Sequence, residues 1–115
     1  MIICEIGLNH MGNTKYANEY IEKIIKTNAD GILFHIREKS FYETNPKLLL
    51  SDKFYINAIK KIKKHNLKFG ITIADIDKIE FFKKIDLDFY KICSRDILDK
   101  QIIYKIKSTK KKTYV

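Results

Sequence analysis

Residues 2–13 read IICEIGLNHMGN, and this stretch decides the fold. A short apolar run carries one acid, Glu5, and then breaks into a polar loop punctuated by glycines. An apolar run bounded by turn residues indicates a buried strand that leads into a loop. An unpaired carboxylate in a buried strand is costly because it loses its hydration. Glu5 is therefore either held in an ion pair, for which Lys91 is a candidate, or part of a functional site.

Strand and helix patterns alternate along the rest of the chain. The apolar runs predict strands over 2–6, 31–35, 68–73 and 89–92. The helical spacing of apolar residues predicts helices over 14–27, 51–65, 75–85 and 98–107. We expect an irregular loop over 36–50 and a basic turn leading into a further strand over 111–115. Strands that alternate with helices indicate a parallel sheet with right-handed crossovers.

Particular side chains support the predicted helices. The candidate N-caps, which accept hydrogen bonds from the first backbone N–H groups, are Thr14, Ser51 or Asp52, and Asp75. The apolar stripe of the first helix comprises Tyr16, Ala17, Tyr20, Ile21, Ile24 and Ile25. The stripe of the last helix comprises Leu98, Ile102, Ile103 and Ile106. Both stripes predict one face of each helix packed against the sheet.

Length limits the architecture. The chain has 115 residues, whereas a complete eight-stranded α/β barrel needs about 200 residues or more. We therefore predict an α/β fold with about four βα units and the start of a fifth parallel strand. Because the chain stops within a predicted strand, we expect residues 1–115 to be the front part of a larger fold.

Composition excludes several classes of protein. The chain is 45% hydrophobic and has no apolar run long enough for a membrane span, and its first residues lack the basic region of a signal peptide. We expect a cytoplasmic protein. The net charge of +9 comes from lysines spread over helix faces, so we expect no nucleic-acid binding. Cys4 and Cys93 lie in predicted strands and are expected to be buried free thiols.

A second informative stretch, FYKICSRD at 89–96, is a strand that ends in polar residues. Lys91, Ser94 and Asp96 follow or close this strand, and α/β folds place their chemistry at the carboxyl ends of parallel strands. A run of serine and acid here can instead cap the following helix. The residue types allow both interpretations.

The motifs, taken together, resemble the N-acetylneuraminate (sialic acid) synthase family. Residues 4–12, CEIGLNHMG, are similar to the opening strand of that family, A/C-E-I-G-x-N-H-x-G. Residues 29–35 resemble its second strand, residues 69–72 its F-x-S-T-P-F motif, and residues 89–96 its A-Y-K-I-x-S-G/R-D/E motif. The terminal residues 112–115 resemble K-P-V-I. The likeness runs along the whole chain in order.

This resemblance implies an enzyme that condenses phosphoenolpyruvate with N-acetylmannosamine or a related amino sugar in nonulosonic acid biosynthesis. It implies that the chain is a partial TIM barrel, with residues 1–115 as the N-terminal half of a synthase-like (β/α) barrel. It also implies a divalent metal (Mn²⁺ or Mg²⁺) and an antifreeze-like domain that completes the site across a dimer. The family's metal-binding histidines lie on later strands, so we expect no metal ligand within 1–115.

The resemblance also implies roles for individual residues. Glu5 and Asp96 match catalytic acids, and Lys91 and Ser94 match the phosphoenolpyruvate-binding lysine and serine. Asn9 matches a substrate-binding position of the first loop. His10, beside it, is expected to order that loop through a hydrogen bond.

The chain departs from the family pattern at two positions of the second strand. Leu33 replaces a phosphoenolpyruvate-binding lysine, and an aliphatic side chain makes no charge-assisted hydrogen bond to phosphate. His35 replaces a sugar-contacting glutamine and is assigned to substrate binding.

Three hypotheses follow. The chain is a truncated synthase that is inactive alone, one chain of a split synthase whose partner chain supplies the missing strands and metal ligands, or a binding module that has lost the chemistry. Leu33 disfavours the second. As partners we expect phosphoenolpyruvate and an amino sugar, with a homodimer or a complementing chain.

Overall fold

The computed structural model describes all 115 residues, Met1 to Val115, as five strands and five α-helices. Strands β1 to β5 span Ile3–Gly7, Gly31–Ile36, Lys68–Ile73, Phe89–Lys91 and Lys112–Tyr114. Helices α1 to α5 span Thr14–Ile25, Lys39–Thr44, Asp52–Lys64, Ile79–Lys84 and Lys100–Ser108. Three single-turn 3-10 helices span Pro46–Leu48, Ile76–Lys78 and Ser94–Asp96. None of the helices is both long and apolar enough to cross a membrane.

All five strands pair in parallel, in the order β1-β2-β3-β4-β5. Sequential parallel neighbours joined by helical crossovers form the beginning of a (β/α) barrel. The fold is therefore the predicted one, an α/β partial TIM barrel of four βα units and a fifth strand.

The hydrophobic core lies between the helices and one face of the sheet. Ile32, Phe34 and Ile36 of β2 belong to it, as do alternate residues of β3. Phe34 is fully buried and meets Phe54 and Tyr55 of α3 edge-on, with ring centroids 5.8 Å apart in both pairs. Edge-to-face packing suits the charge distribution of aromatic rings. This one-sided core fixes which face of each strand the helices cover.

The opposite face of the sheet is concave. Neighbouring strands lie about 4.8 Å apart, so β1 and β5 of a flat sheet would be roughly 19 Å apart. The Tyr114 hydroxyl of β5 nevertheless lies 3.8 Å from the sulfur of Met1, immediately before β1. The sheet must curve to bring these groups together, as in the wall of a barrel.

Close packing fills the middle of this concave face. Strand pairing places Leu33, Gly70 and Phe89 side by side. A Cβ atom on Gly70 would lie 2.2 Å from two ring atoms of Phe89, so only glycine leaves room for the ring. Phe89 also packs edge-on against Tyr114, with centroids 5.3 Å apart. Leu33 and Phe89 of the concave face are thus buried within the chain itself.

The prediction for residues 36–50 was wrong in part. The segment contains α2 and the 3-10 helix Pro46–Leu48 instead of an irregular loop. The first loop packs closely onto that 3-10 helix. A Cβ atom on Gly12 would lie only 1.7 Å from the carbonyl oxygen of Lys47, so only glycine fits there. α2 buries no residue completely. Its sequence therefore did not need the apolar stripe by which the other helices were recognised.

Two helix starts also differ from the predictions. Asn13, not Thr14, caps α1, because its side chain accepts from the backbone N–H groups of Lys15 and Tyr16. Asp99 caps α5, so Leu98 precedes the helix and is 87% exposed instead of packed.

The remaining predicted caps are present, and the apolar stripes are buried only in part. Ser51 caps α3, and Asp75 caps the 3-10 turn that precedes α4. Tyr16 and Tyr20, predicted in the apolar stripe of α1, are exposed. Cys4 and Cys93 are free thiols as predicted, but they are half-buried instead of buried.

The Gly70→Ala substitution tests the packing of the concave face. We expect a loss of about 1–3 kcal/mol in the free energy of unfolding, because the added methyl displaces the Phe89 ring. Urea denaturation measures this loss. In a Phe89→Leu background the same substitution should lower the free energy of unfolding clearly less, because the ring that the methyl meets is gone. The backbone effect of alanine is common to both proteins and cancels in the comparison. Equal costs in the two backgrounds would show that the contact is not the cause.

Candidate active site

An ion pair spans the concave face near the carboxyl ends of the strands. Glu5 of β1 and Lys91 of β4 meet across the two intervening strands, with Lys91 Nζ 2.9 Å from Glu5 Oε2. Their side chains are 44% and 37% exposed, respectively. Pairs this exposed contribute about 0–1 kcal/mol to stability. The pair is therefore weakly structural, and both charged groups remain accessible to a ligand.

This contact confirms one of the two interpretations of Glu5, the ion pair with Lys91. It does not exclude the other, because an ion pair on the concave face of a (β/α) barrel also lies where such folds place their sites.

Two buried polar atoms lie beside the pair. His35 of β2 and Thr72 of β3 are paired in register, and Thr72 is in turn paired with Lys91. His35 Nε2 and Thr72 Oγ1 are both buried without a hydrogen-bond partner. Buried polar groups normally have partners, so these two atoms carry hydrogen-bonding capacity that the protein itself does not use.

His35 is the neutral member of this group. Burial, followed by the positive charge of Arg37, lowers the pKa of His35 below its usual value, although Glu5 acts in the opposite direction. A neutral imidazole presents one donor and one acceptor nitrogen. His35 is thus suited to hydrogen bonding with an uncharged hydroxyl or amide group at neutral pH.

Ser94 and Asp96 lie on the 3-10 turn that follows β4. Asp96 Oδ1 accepts from Arg95 Nε at 3.0 Å, whereas Asp96 Oδ2 is buried without a partner. Ser94 is exposed, and the cap of α5 is Asp99. The alternative interpretation, in which this serine and acid cap the following helix, is therefore wrong.

The first loop is ordered by its own side chains. Asn9 Nδ2 donates to the Ile6 carbonyl at 3.0 Å, and the Gly12 backbone N–H donates to His10 Nδ1 at 2.9 Å. The predicted loop-ordering hydrogen bond of His10 is thus present. Asn9 makes no hydrogen bond to Glu5 or to Lys91, so the structure does not join it to the ion pair.

Sequence analysis missed a second charged group at the rim of the concave face. Arg37 and Glu38 follow β2, and Arg95 separates Ser94 from Asp96. The Glu38 carboxylate is bound by both guanidinium groups, which hold its pKa well below the usual range. Thr72 was also missed. The sequence signals for these residues are positional. Arg37 and Glu38 directly follow β2, Arg95 lies between two predicted site residues, and Thr72 lies within the motif at residues 69–72.

The donor set does not fit a metal ion. No group of three or more His, Cys, Asp or Glu side chains is arranged to hold one. The nearest acids, Glu5 and Asp96, are already paired with Lys91 and Arg95. The divalent metal that the resemblance implies therefore finds no ligand set within these residues.

Comparison with known proteins identifies the family. The model of the NeuB family matches residues 8–115. Because this match covers almost the whole chain, the chain belongs to the NeuB family.

Two relatives are similar in sequence to most of this chain. The chain is 29% identical over 118 residues to an uncharacterized protein of Methanocaldococcus jannaschii, covering 96% of this chain and 35% of that protein. It is 25% identical over 134 residues to the N,N'-diacetyllegionaminic acid synthase of Campylobacter jejuni, covering 97% of this chain and 40% of the synthase.

A crystal structure shows the same fold. The N-acetylneuraminic acid (sialic acid) synthetase of Leptospira borgpetersenii, in complex with citrate, superposes with a TM-score of 0.77 at 20% identity. The match covers 97% of this chain and 51% of the synthetase. The chain thus spans about a third to a half of the length of these three proteins.

The buried histidine of the first loop predicts a pH dependence of stability. Burial lowers the pKa of His10, so the unfolded chain binds the proton more readily than the folded one. The contribution of His10 to stability is therefore complete above the unfolded value of about 6.5 and declines as the pH falls below it.

The free energy of unfolding, measured by urea denaturation, should thus decrease from pH 7 to pH 5. His10→Asn, which retains a side-chain acceptor, should flatten this decrease without abolishing it, because His35 titrates in the same direction. Identical slopes for the two proteins would contradict this role of His10.

Proposed function

We propose that residues 1–115 provide the N-terminal half of a synthase barrel that condenses phosphoenolpyruvate with N-acetylmannosamine or a related amino sugar. The observation that carries this proposal is the Glu5–Lys91 pair, which joins two family motifs, 86 residues apart, on one concave face. Membership of the NeuB family and the acid-sugar synthases among its relatives support the same substrates.

In the proposed reaction, the enol carbon of phosphoenolpyruvate attacks the sugar aldehyde, water adds to the resulting oxocarbenium carbon, and phosphate leaves. Lys91 and Ser94 bind the anionic groups of phosphoenolpyruvate, because an ammonium group and a hydroxyl group both donate to carboxylate and phosphate oxygens. Of Glu5 and Asp96, one accepts the proton that the attacking water loses and a proton is returned to the aldehyde oxygen as it becomes a hydroxyl, while the other accepts hydrogen bonds from sugar hydroxyls. The second proton of the water leaves with the phosphate. His35 hydrogen-bonds the uncharged sugar.

One of the two departures of the second strand from the family pattern removes an anion-binding group. Leu33 lies beside Glu5 in the sheet and is buried, so the position carries no donor for an anion. The loss of a charge-assisted contact typically costs about 2 kcal/mol of binding. We therefore expect weak binding of phosphoenolpyruvate and no turnover by residues 1–115 alone.

This expectation favours a second candidate function, a binding module that retains the anion site without the chemistry. Turnover would instead need metal ligands from outside residues 1–115, either on the same polypeptide or on a partner chain. The two candidates make the same prediction for binding and differ only in catalysis.

Calorimetric titration with phosphoenolpyruvate tests the proposed site. Lys91→Ala should weaken binding by about tenfold or more, since one charge-assisted hydrogen bond contributes about 1.5–3 kcal/mol. Lys105→Ala is the matched control, because Lys105 is 40% exposed and paired with Glu80 but lies on α5, away from the concave face.

Equal affinities of Lys91→Ala and the unmodified protein would contradict the proposed site. Equal weakening by both lysine substitutions would indicate nonspecific attraction to a basic protein and would also contradict it.

A further inference from the structure

Two arginines share one carboxylate at the rim of the concave face. Arg37 places Nε 3.0 Å from Glu38 Oε2 and a terminal nitrogen 3.0 Å from Oε1. Arg95, from the turn after β4, places one terminal nitrogen 2.7 Å from Oε2 and the other 3.4 Å from Oε1. Each guanidinium group thus binds both oxygens of the same carboxylate.

This arrangement has the chemistry of an anion site. A guanidinium fork binds carboxylate and phosphate oxygens in the same two-pronged way. Glu38 and Asp96 together balance the charges of Arg37 and Arg95, so an incoming anion has to replace the Glu38 carboxylate, whose side chain is 33% exposed. Arg95 is more exposed still, at 47%. The carboxylate can therefore move out into solvent, and an incoming anion can reach both forks.

The position of the two arginines relates them to the concave face. Both guanidinium groups act electrostatically on His35, which lies on that face between Leu33 and the rim. Arg95 stands directly between Ser94 and Asp96. Leu33 leaves β2 with no positively charged side chain on the concave face. Arg37, which directly follows β2 at the rim, is the first cation after this strand.

We propose that Arg37 and Arg95 form an oxyanion-binding clamp whose internal occupant, Glu38, is displaced by a carboxylate or phosphate group of the substrate. The proposal rests on the proposed function for the identity of that substrate, and it adds an anion-binding pair next to the strand in which Leu33 replaces the lysine. The free chain holds the clamp closed, and a ligand must compete with Glu38 to enter it.

The test is a titration of the 115-residue chain with inorganic phosphate and, separately, with pyruvate, which carries only a carboxylate. Glu38→Gln should raise the affinity for one or both anions by about tenfold, the gain expected if Glu38 fills the clamp in roughly nine molecules of ten. Adding Arg95→Gln should abolish that gain. Asp52→Asn, which removes the acid of the exposed Lys78–Asp52 pair, is the control and should change nothing.

A Glu38→Gln protein that is folded but binds the anions no better, or more weakly, would overturn the proposal and leave Glu38 as a residue that only positions Arg95. The unmodified chain gives an independent measurement. Phosphate should shift the Nε–Hε resonances of Arg37 and Arg95 in an NMR titration, and unshifted resonances at saturating phosphate would also overturn it.

Failure of the proposed function is distinguishable from failure of the clamp. If phosphoenolpyruvate binding is independent of Lys91, the synthase site is refuted, whereas an affinity gain in Glu38→Gln that depends on Arg95 still establishes the clamp.

Discussion

The structure depends on the packing of helices against only one face of a curved parallel sheet. Ile32, Phe34 and Ile36 of β2 point into the core between sheet and helices, so Leu33 and His35 must point to the concave face. The same alternation places Lys91 on that face. Because the curvature brings β1 close to β4, Glu5 and Lys91 meet although two strands separate them. The candidate site is thus a direct consequence of where the core lies.

Most of the fold could be predicted from the sequence because the strands are short apolar runs and the helices carry apolar stripes. The failures have local causes. Helix starts were misplaced where several polar residues compete as caps, as at Asn13 and Thr14. The helical part of residues 36–50 was missed because α2 buries no residue completely, so its sequence has no apolar stripe to detect.

The ion pair of Glu5 with Lys91 was predicted from the sequence, whereas the charged group at the rim was missed. Glu5 and Lys91 were found because charged residues interrupt apolar strands, which is physically unusual. Arg37, Glu38 and Arg95 lie in polar connecting segments, where charged residues are common and carry no signal until the structure shows them in contact. Together, the ion pair and the rim group form a surface of closely paired opposite charges. Under the proposed function, an anionic ligand enters this surface by replacing a carboxylate of the protein as the partner of a cation.

The central claim is that Glu5 and Lys91 belong to one ligand site. The most direct measurement is an NMR titration with phosphoenolpyruvate that follows the Glu5 side-chain carboxyl carbon and the Lys91 side-chain nitrogen in the same labelled sample. The account predicts that both resonances shift with a single common dissociation constant, because the ligand replaces Glu5 as the ion-pair partner of Lys91. A shift of neither resonance in folded protein, or two different dissociation constants, would contradict it.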